Sequence, residues 1–408
     1  MKSNLSIFFL FNIYTFLFSQ FNYSGLISPG NMYRLSDKSE ISLPFRITKG
    51  EIGYSIGDFE FKINSALEYR WLNNETKFQF REAYILWYPS WGELKVGKQI
   101  HAWGSVDSNN PTDNLNPYDY YYMFFSGSER KVGNLFGLLK YYGETFQIEG
   151  IFVPKHKENR FPYGEESFPI KIDDPEEFLL EKGSESEFGF RVQSTLGSSD
   201  FSISYFRGRD RSFSYAGTIE DSLGVTPRFL YRKTNVVGLD WVLFIGDITN
   251  RFEFGIFSTK NDVDGSTITN KDLFDASYIQ YAAQLEYATQ NNIFLSLQII
   301  GGSLLEINGI ISEDEFQPGM GTPFASFTDL GLALSVSANY FDNSLELMGS
   351  SFIDLEDSQS MQGLSFKYTP FDNWKLNFSI SKFLGDKGTQ FHNMEDFSHF
   401  KFGLEYHF

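Results

Sequence analysis

With no cysteine anywhere in the chain, any chemistry would have to come from carboxylates, amides, aromatics and five histidines. Disulfides, Cys-based zinc sites and thiol nucleophiles are therefore excluded. The histidines, His101, His156, His392, His399 and His407, show no spacing that couples them to a serine or to one another. Asn261, Asp262, Asp264 and Gly265 match the start of a calcium loop, but the closing bidentate glutamate is missing, so a turn is expected there. The acidic residues crowded into 154–187 read as a solvated loop. These observations favour a protein without catalytic residues, cofactor or metal.

One stretch is built differently. Leu94-Lys95-Val96-Gly97-Lys98-Gln99 runs into His101-Ala102-Trp103-Gly104, then Asp107, then Thr112-Asp113-Asn114-Leu115-Asn116-Pro117-Tyr118-Asp119. Gly97 and Gly104 allow close backbone approach, Pro117 stiffens the return, and the Asp and Asn side chains can bond nearby backbone groups. Trp103 and the tyrosines need burial. A loop folded back into an enclosed lumen meets these demands. Lys95, Gln99 and His101 share one parity, so the expected constriction comprises Lys95, Gln99, His101, Trp103, Asp107, Asn116 and Asp119. Within that set Trp103 is expected to pack the loop against the wall and Asp119 to cap a turn. Tyr120, Tyr121 and Tyr122 are assigned to an interfacial aromatic girdle.

The glycine, basic residue and glutamine, followed by Trp-Gly and Asn-Pro-x-Asp, resemble a series found in a broad group of porin-like Gram-negative outer-membrane barrels, relatives of alginate-export porins among them. Lys98 stands where arginine is commoner in that series. The resemblance spans about thirty residues and implies a class of pore, with no particular solute.

The elements that position this stretch are strands. Aromatics make up 18% of the chain while hydrophobic residues reach only 41%, a balance that suits a membrane barrel better than a soluble core. Alternation dominates from about residue 59: Phe61, Ile63, Leu67 and Tyr69 against Glu60, Lys62, Asn64 and Glu68, and again in Phe252, Phe254 and Ile256 and in Leu330, Leu332 and Leu334. Many runs approach the length a tilted strand needs to cross a bilayer. Long connections alternate with tight ones such as Gly246-Asp247 and Phe371-Asp372. Short periplasmic turns and long extracellular loops have this asymmetry.

The expected fold is all-β, a transmembrane antiparallel up-and-down barrel of about sixteen strands, with eighteen as the alternative if 41–57 adds a hairpin. Residues 1–19 read as a signal peptide, with Lys2, an apolar stretch from Ile7 to Phe18, and Ser19 before the cleavage point. Residues 20–58 are assigned to a periplasmic N-terminal segment with one potential hairpin, and 59–408 to the barrel, with an inward loop near 101–132. In the last strand Phe400, Phe402, Leu404, Tyr406 and Phe408 alternate with polar residues. Tyr406 and Phe408 resemble the C-terminal signature read by the barrel-insertion machinery.

The function expected is passive diffusion of small hydrophilic solutes or ions through an outer-membrane channel. The rival is a non-conducting barrel within an export or assembly complex. Expected partners are outer-membrane lipid, the insertion machinery and the solutes, and a homo-oligomer is compatible with the pattern. The net charge of −18 argues against nucleic acid.

Overall fold

The computed structural model describes residues 21–107, 109–125, 127–180, 185–222, 224–261, 268–271, 274–309, 316–326 and 328–408. The expected signal peptide and the calcium-like Asp262–Gly265 lie outside them. Apart from Ser214–Asp221, Gly224–Leu230 and Asn270–Lys271, which make a small separate sheet, the described strands form a closed antiparallel barrel of 18 strands, the larger of the two expected counts. In chain order they are β1 (Phe21–Ile27, continued as Gly30–Arg34), β2 (Phe45–Ile56), β3 (Phe59–Arg70), β4 (Glu75–Trp87), β5 (Gly92–Gln99) and β6 (Asn134–Tyr142). Next come β7 (Phe146–Val153), β8 (Glu187–Leu196), β9 (Ser199–Arg209), β10 (Lys233–Ile245), β11 (Ile248–Asn261) and β12 (Phe274–Ala288). The circuit ends with β13 (Ile293–Gly309), β14 (Leu330–Tyr340), β15 (Leu345–Asp354), β16 (Gln359–Phe371), β17 (Trp374–Gly385) and β18 (His399–His407).

The first two strands correct the N-terminal boundary. Within the segment assigned to a periplasmic lead-in with one potential hairpin, Phe21–Arg34 and Phe45–Ile56 are barrel strands: β1 pairs with β2 on one side and β18 on the other, and so closes the ring. Their apolar alternation is weakened by Gly25, Gly30, Gly50 and Gly53 and broken at Pro29, so it is faint in the sequence.

Burial is inverted relative to a soluble protein. Phe78, Ile85, Phe152, Phe190, Val237 and Phe252 face outward and are exposed, while Glu68, Arg191, Asp240, Glu253 and Gln280 are buried inside. Alternating side chains give each strand a lipid face and a lumen face. Near the short turns Trp87 lies 6.2 Å from Trp91 and Trp374 lies 4.8 Å from Tyr406, ring to ring. Tyr69 and Trp71, 4.9 Å apart, mark the other rim. These pairs sit where aromatic side chains settle at the two water interfaces.

The lumen is filled from the long-loop side. Trp103, Leu115, Phe136, Phe206, Phe257, Tyr278, Phe316 and Met320 make one internal apolar cluster. Met32, Ile41, Phe168, Phe383, Phe391 and Phe397 form part of another, against a short helix, Gln390–Asn393. Tyr120 and Tyr121 pack against that second cluster and Tyr122 is buried, which overturns their assignment to the girdle. Their polypeptide has already turned inward, so their rings fill the lumen.

Candidate functional site

The segment after β5 crosses the interior and is fastened to the opposite wall. Glu253 of β11 accepts hydrogen bonds from the backbone N–H groups of Ser105 and Val106 (2.7 Å for Val106) and from the Thr112 hydroxyl at 3.0 Å. Gly104, at φ +96°, is required here: a Cβ would stand 2.3 Å from Glu253 Oε1. Several donors converge on this fully buried side chain, which makes it a strong anchor.

Two glutamines extend the fastening. Gln284 of β12 accepts from the Asp107 N–H at 2.8 Å and donates to the Asp107 carboxylate at 3.0 Å. Gln298 of β13 donates to the Asp107 carbonyl at 2.8 Å. Beside them Arg251 donates to the Ser105 carbonyl at 2.9 Å and pairs with Glu286 at 3.1 Å. A second inward segment, Phe316–Thr322, meets the first: the Gly321 N–H donates to Asn114 Oδ1 at 3.0 Å.

At the near wall, Glu149 of β7 accepts from Trp103 Nε1 and bonds His101 Nε2, both at 2.9 Å. Asn116 accepts from the His101 N–H at 2.8 Å and donates to the carbonyls of Gln99 and Val132, tying the loop's two ends together. Gln99 is fully buried and donates to the Phe136 carbonyl at 2.9 Å. Asp119 is equally buried and pairs with Arg46 at 2.7 Å and Arg160 at 3.1 Å. Its side chain makes no cap hydrogen bond to the turn Tyr120–Tyr122; the guanidinium groups of Arg46 and Arg160 claim its carboxylate. Of the seven expected residues, Gln99, Trp103, Asn116 and Asp119 are fasteners. His101 and Lys95 are partly exposed, with Lys95 Nζ 3.9 Å from the Tyr84 ring, and Asp107 is exposed at the loop tip near the far wall.

A charged cluster supports this arrangement. Arg160 makes two bonds to Glu68, at 2.8 and 2.9 Å, and Glu129 meets Arg46, Lys49 and Arg81 at 3.0–3.1 Å. Burial alone would raise the Glu129 carboxyl, but the attraction of Arg81, Lys49 and Arg46 outweighs it and holds the group at about 2. Among the described residues no group of three or more His, Asp or Glu could hold a metal ion.

A closed barrel with an apolar exterior and a polar, loop-filled lumen defines an outer-membrane β-barrel of porin-like architecture. No protein-family model matches the chain, and no curated protein matches it in sequence. Solved structures do match in fold. Pseudomonas aeruginosa OpdL aligns with 96% of this chain and 99% of its own, at 11% identity and a TM-score of 0.54. OccK11 (OpdR) of the same organism aligns over 95% and 96%, at 12% identity and 0.53. OccK2 (OpdF), solved in complex with glucuronate, aligns over 96% and 98%, at 11% identity and 0.50. At such identities the likeness is one of fold.

Proposed function

We propose that the chain is an outer-membrane channel for small hydrophilic solutes, with the fastened loop as its constriction. The observation that carries this reading is the span of that loop from Lys95 and His101 at one wall to Asp107 at the other. Basic and acidic groups across a narrow polar passage set up a transverse field, stronger there than in bulk water. A small polar solute would be oriented as it passes. The glucuronate held by OpdF makes a sugar acid the first solute to test.

Two further assignments belong to this reading. The first is removal of residues 1–19, supported by Lys2, the apolar Ile7–Phe18 stretch and Ser19 in the sequence. The second is recognition of Tyr406 and Phe408 by the insertion machinery, supported by Tyr406 near the end of β18 and Phe408 directly after it. Relationship to the alginate-export group is likewise proposed, on the Trp103-Gly104 and Asn116-Pro117-x-Asp119 residues that here fasten the loop.

Single-channel recording of the folded protein in planar bilayers tests the proposal. Discrete openings that glucuronate transiently blocks are expected. Folded protein with no open state would overturn it in favour of a non-conducting barrel, the reading that the densely filled lumen otherwise favours.

A further inference from the structure

The barrel wall has a notch in its outer half. β4 is paired along its whole length with β3, but on its other side only Ala83–Trp87 meets β5, which stops at Gln99. Among the described residues, the edge of Glu75–Glu82 therefore has no strand paired beside it. Closed barrels span membranes because they leave no such edge in lipid, so this one requires other cover. Some comes from within: Lys98 Nζ donates to the Phe80 carbonyl, and Glu82 accepts the Ile100 N–H at 2.9 Å.

The notch opens toward lipid. Phe78 and Phe80 on one flank and Leu135 on the other point outward and are 58%, 53% and 55% exposed. They lie on the barrel side of the Tyr69 and Trp71 rim, since Leu67 pairs with Phe78 and Tyr69 with Thr76. Behind them is a cavity of about 1010 Å³, lined by eight Lys or Arg side chains against four carboxylates, in a chain whose net charge is −18. Among the described residues no carboxylate pairs with Lys77, Lys98, Lys155 or Lys157. Lys157 donates only to the Gly133 carbonyl, at 3.0 Å. Burial, with Lys98 nearby, lowers its ammonium to about 8.

From this juxtaposition of an uncovered strand edge, an apolar outward lip and a basic cavity, we infer that the notch binds a phosphate-bearing lipid of the outer leaflet. The headgroup sits among Lys77, Lys98, Lys155 and Lys157 and the acyl chain lies against Phe78, Phe80 and Leu135. Basic pockets at a membrane interface hold acidic headgroups in this way. The inference goes beyond solute passage and does not depend on it.

The test uses the full barrel in phosphatidylcholine vesicles that contain a trace of phosphatidic acid with a photoactivatable acyl chain. Cross-links are expected to concentrate on residues 76–82 and 133–136, roughly tenfold above those from phosphatidylcholine carrying the same photogroup. Inorganic phosphate should not compete. Equal labelling by the two lipids overturns the site, and full competition by inorganic phosphate overturns its membrane source. Lys98→Gln combined with Lys157→Gln should abolish the preference in protein that still migrates as a folded barrel, and an unchanged preference there also overturns the proposal. Should that variant not fold, the comparison of lipids on the unaltered protein decides.

Discussion

Gly25 and Phe408 exchange both of their backbone hydrogen bonds, at 2.9 and 3.0 Å, so the last residue of the chain is part of the seam that closes the barrel. The Phe408 ring lies over Gly25 so closely that a Cβ there would stand 2.2 Å from it. Deleting Phe408 removes those bonds together with the terminal aromatic. Export to the periplasm should persist while the yield of heat-modifiable, membrane-inserted barrel falls several-fold; normal yield on semi-native gels would contradict this.

Replacing Glu253 with alanine leaves the Ser105 and Val106 N–H groups and the Thr112 hydroxyl without their shared acceptor. Each loss costs about 1–3 kcal/mol when the donor stays buried. The loop should detach from the far wall, visible as larger and noisier current steps. Steps identical to the unaltered channel's would show that Glu253 does not hold the constriction.

Removing Ser105–Asn114 takes out the crossing itself while leaving the strands in place. Conductance should rise and larger sugars should enter in a liposome-swelling assay, provided the barrel still shows heat-modifiable migration. An unchanged size limit would place the constriction elsewhere.

Trp103 is 1% exposed in the internal cluster. Its truncation to alanine should cost about 3–5 kcal/mol, as for other large buried aromatics. Trp103→Phe keeps most of the packing but loses the bond to Glu149, a smaller loss of about 1–3 kcal/mol. Urea unfolding of the micelle-embedded protein would rank the two; equal losses would mean that packing contributes little.

Acid should loosen the charged cluster only at low pH. Glu129 is held at about 2, below its usual 4.5, so it contributes stability in full above pH 4.5 and loses it as pH falls toward 2. The contribution is on the order of 3 kcal/mol. Glu129→Gln should flatten the stability profile between pH 4.5 and 2 in unfolding measurements, whereas an unaltered slope would assign the acid sensitivity to other carboxylates.

Much of the architecture was legible because lipid demands strict alternation. Phe252, Phe254 and Ile256 can face only outward once Glu253 faces in, and the tight turn at Gly246-Asp247 fixes the hairpin. β1 escaped because glycines and Pro29 remove its outward apolar side chains. The inward loop was readable from Trp103 and the Asn and Asp run, which need partners. Those partners were not readable: Glu253, Gln284 and Gln298 occupy the ordinary polar parity of their strands, and only the closed ring shows which wall faces the loop. Asp119 resembled a turn cap for the same reason, since Arg46 and Arg160 reach it from distant positions.

The bonds that fasten the loop to the far wall join positions 141 to 191 residues apart. While the chain is still assembling, Ser105, Val106 and Asp107 have nowhere to dock until β11, β12 and β13 stand opposite them. Contacts of such range are slow to form. Docking is therefore a late event in folding, after strand pairing has enclosed the segment, and a barrel released early would carry its loop loose inside a ring already shut.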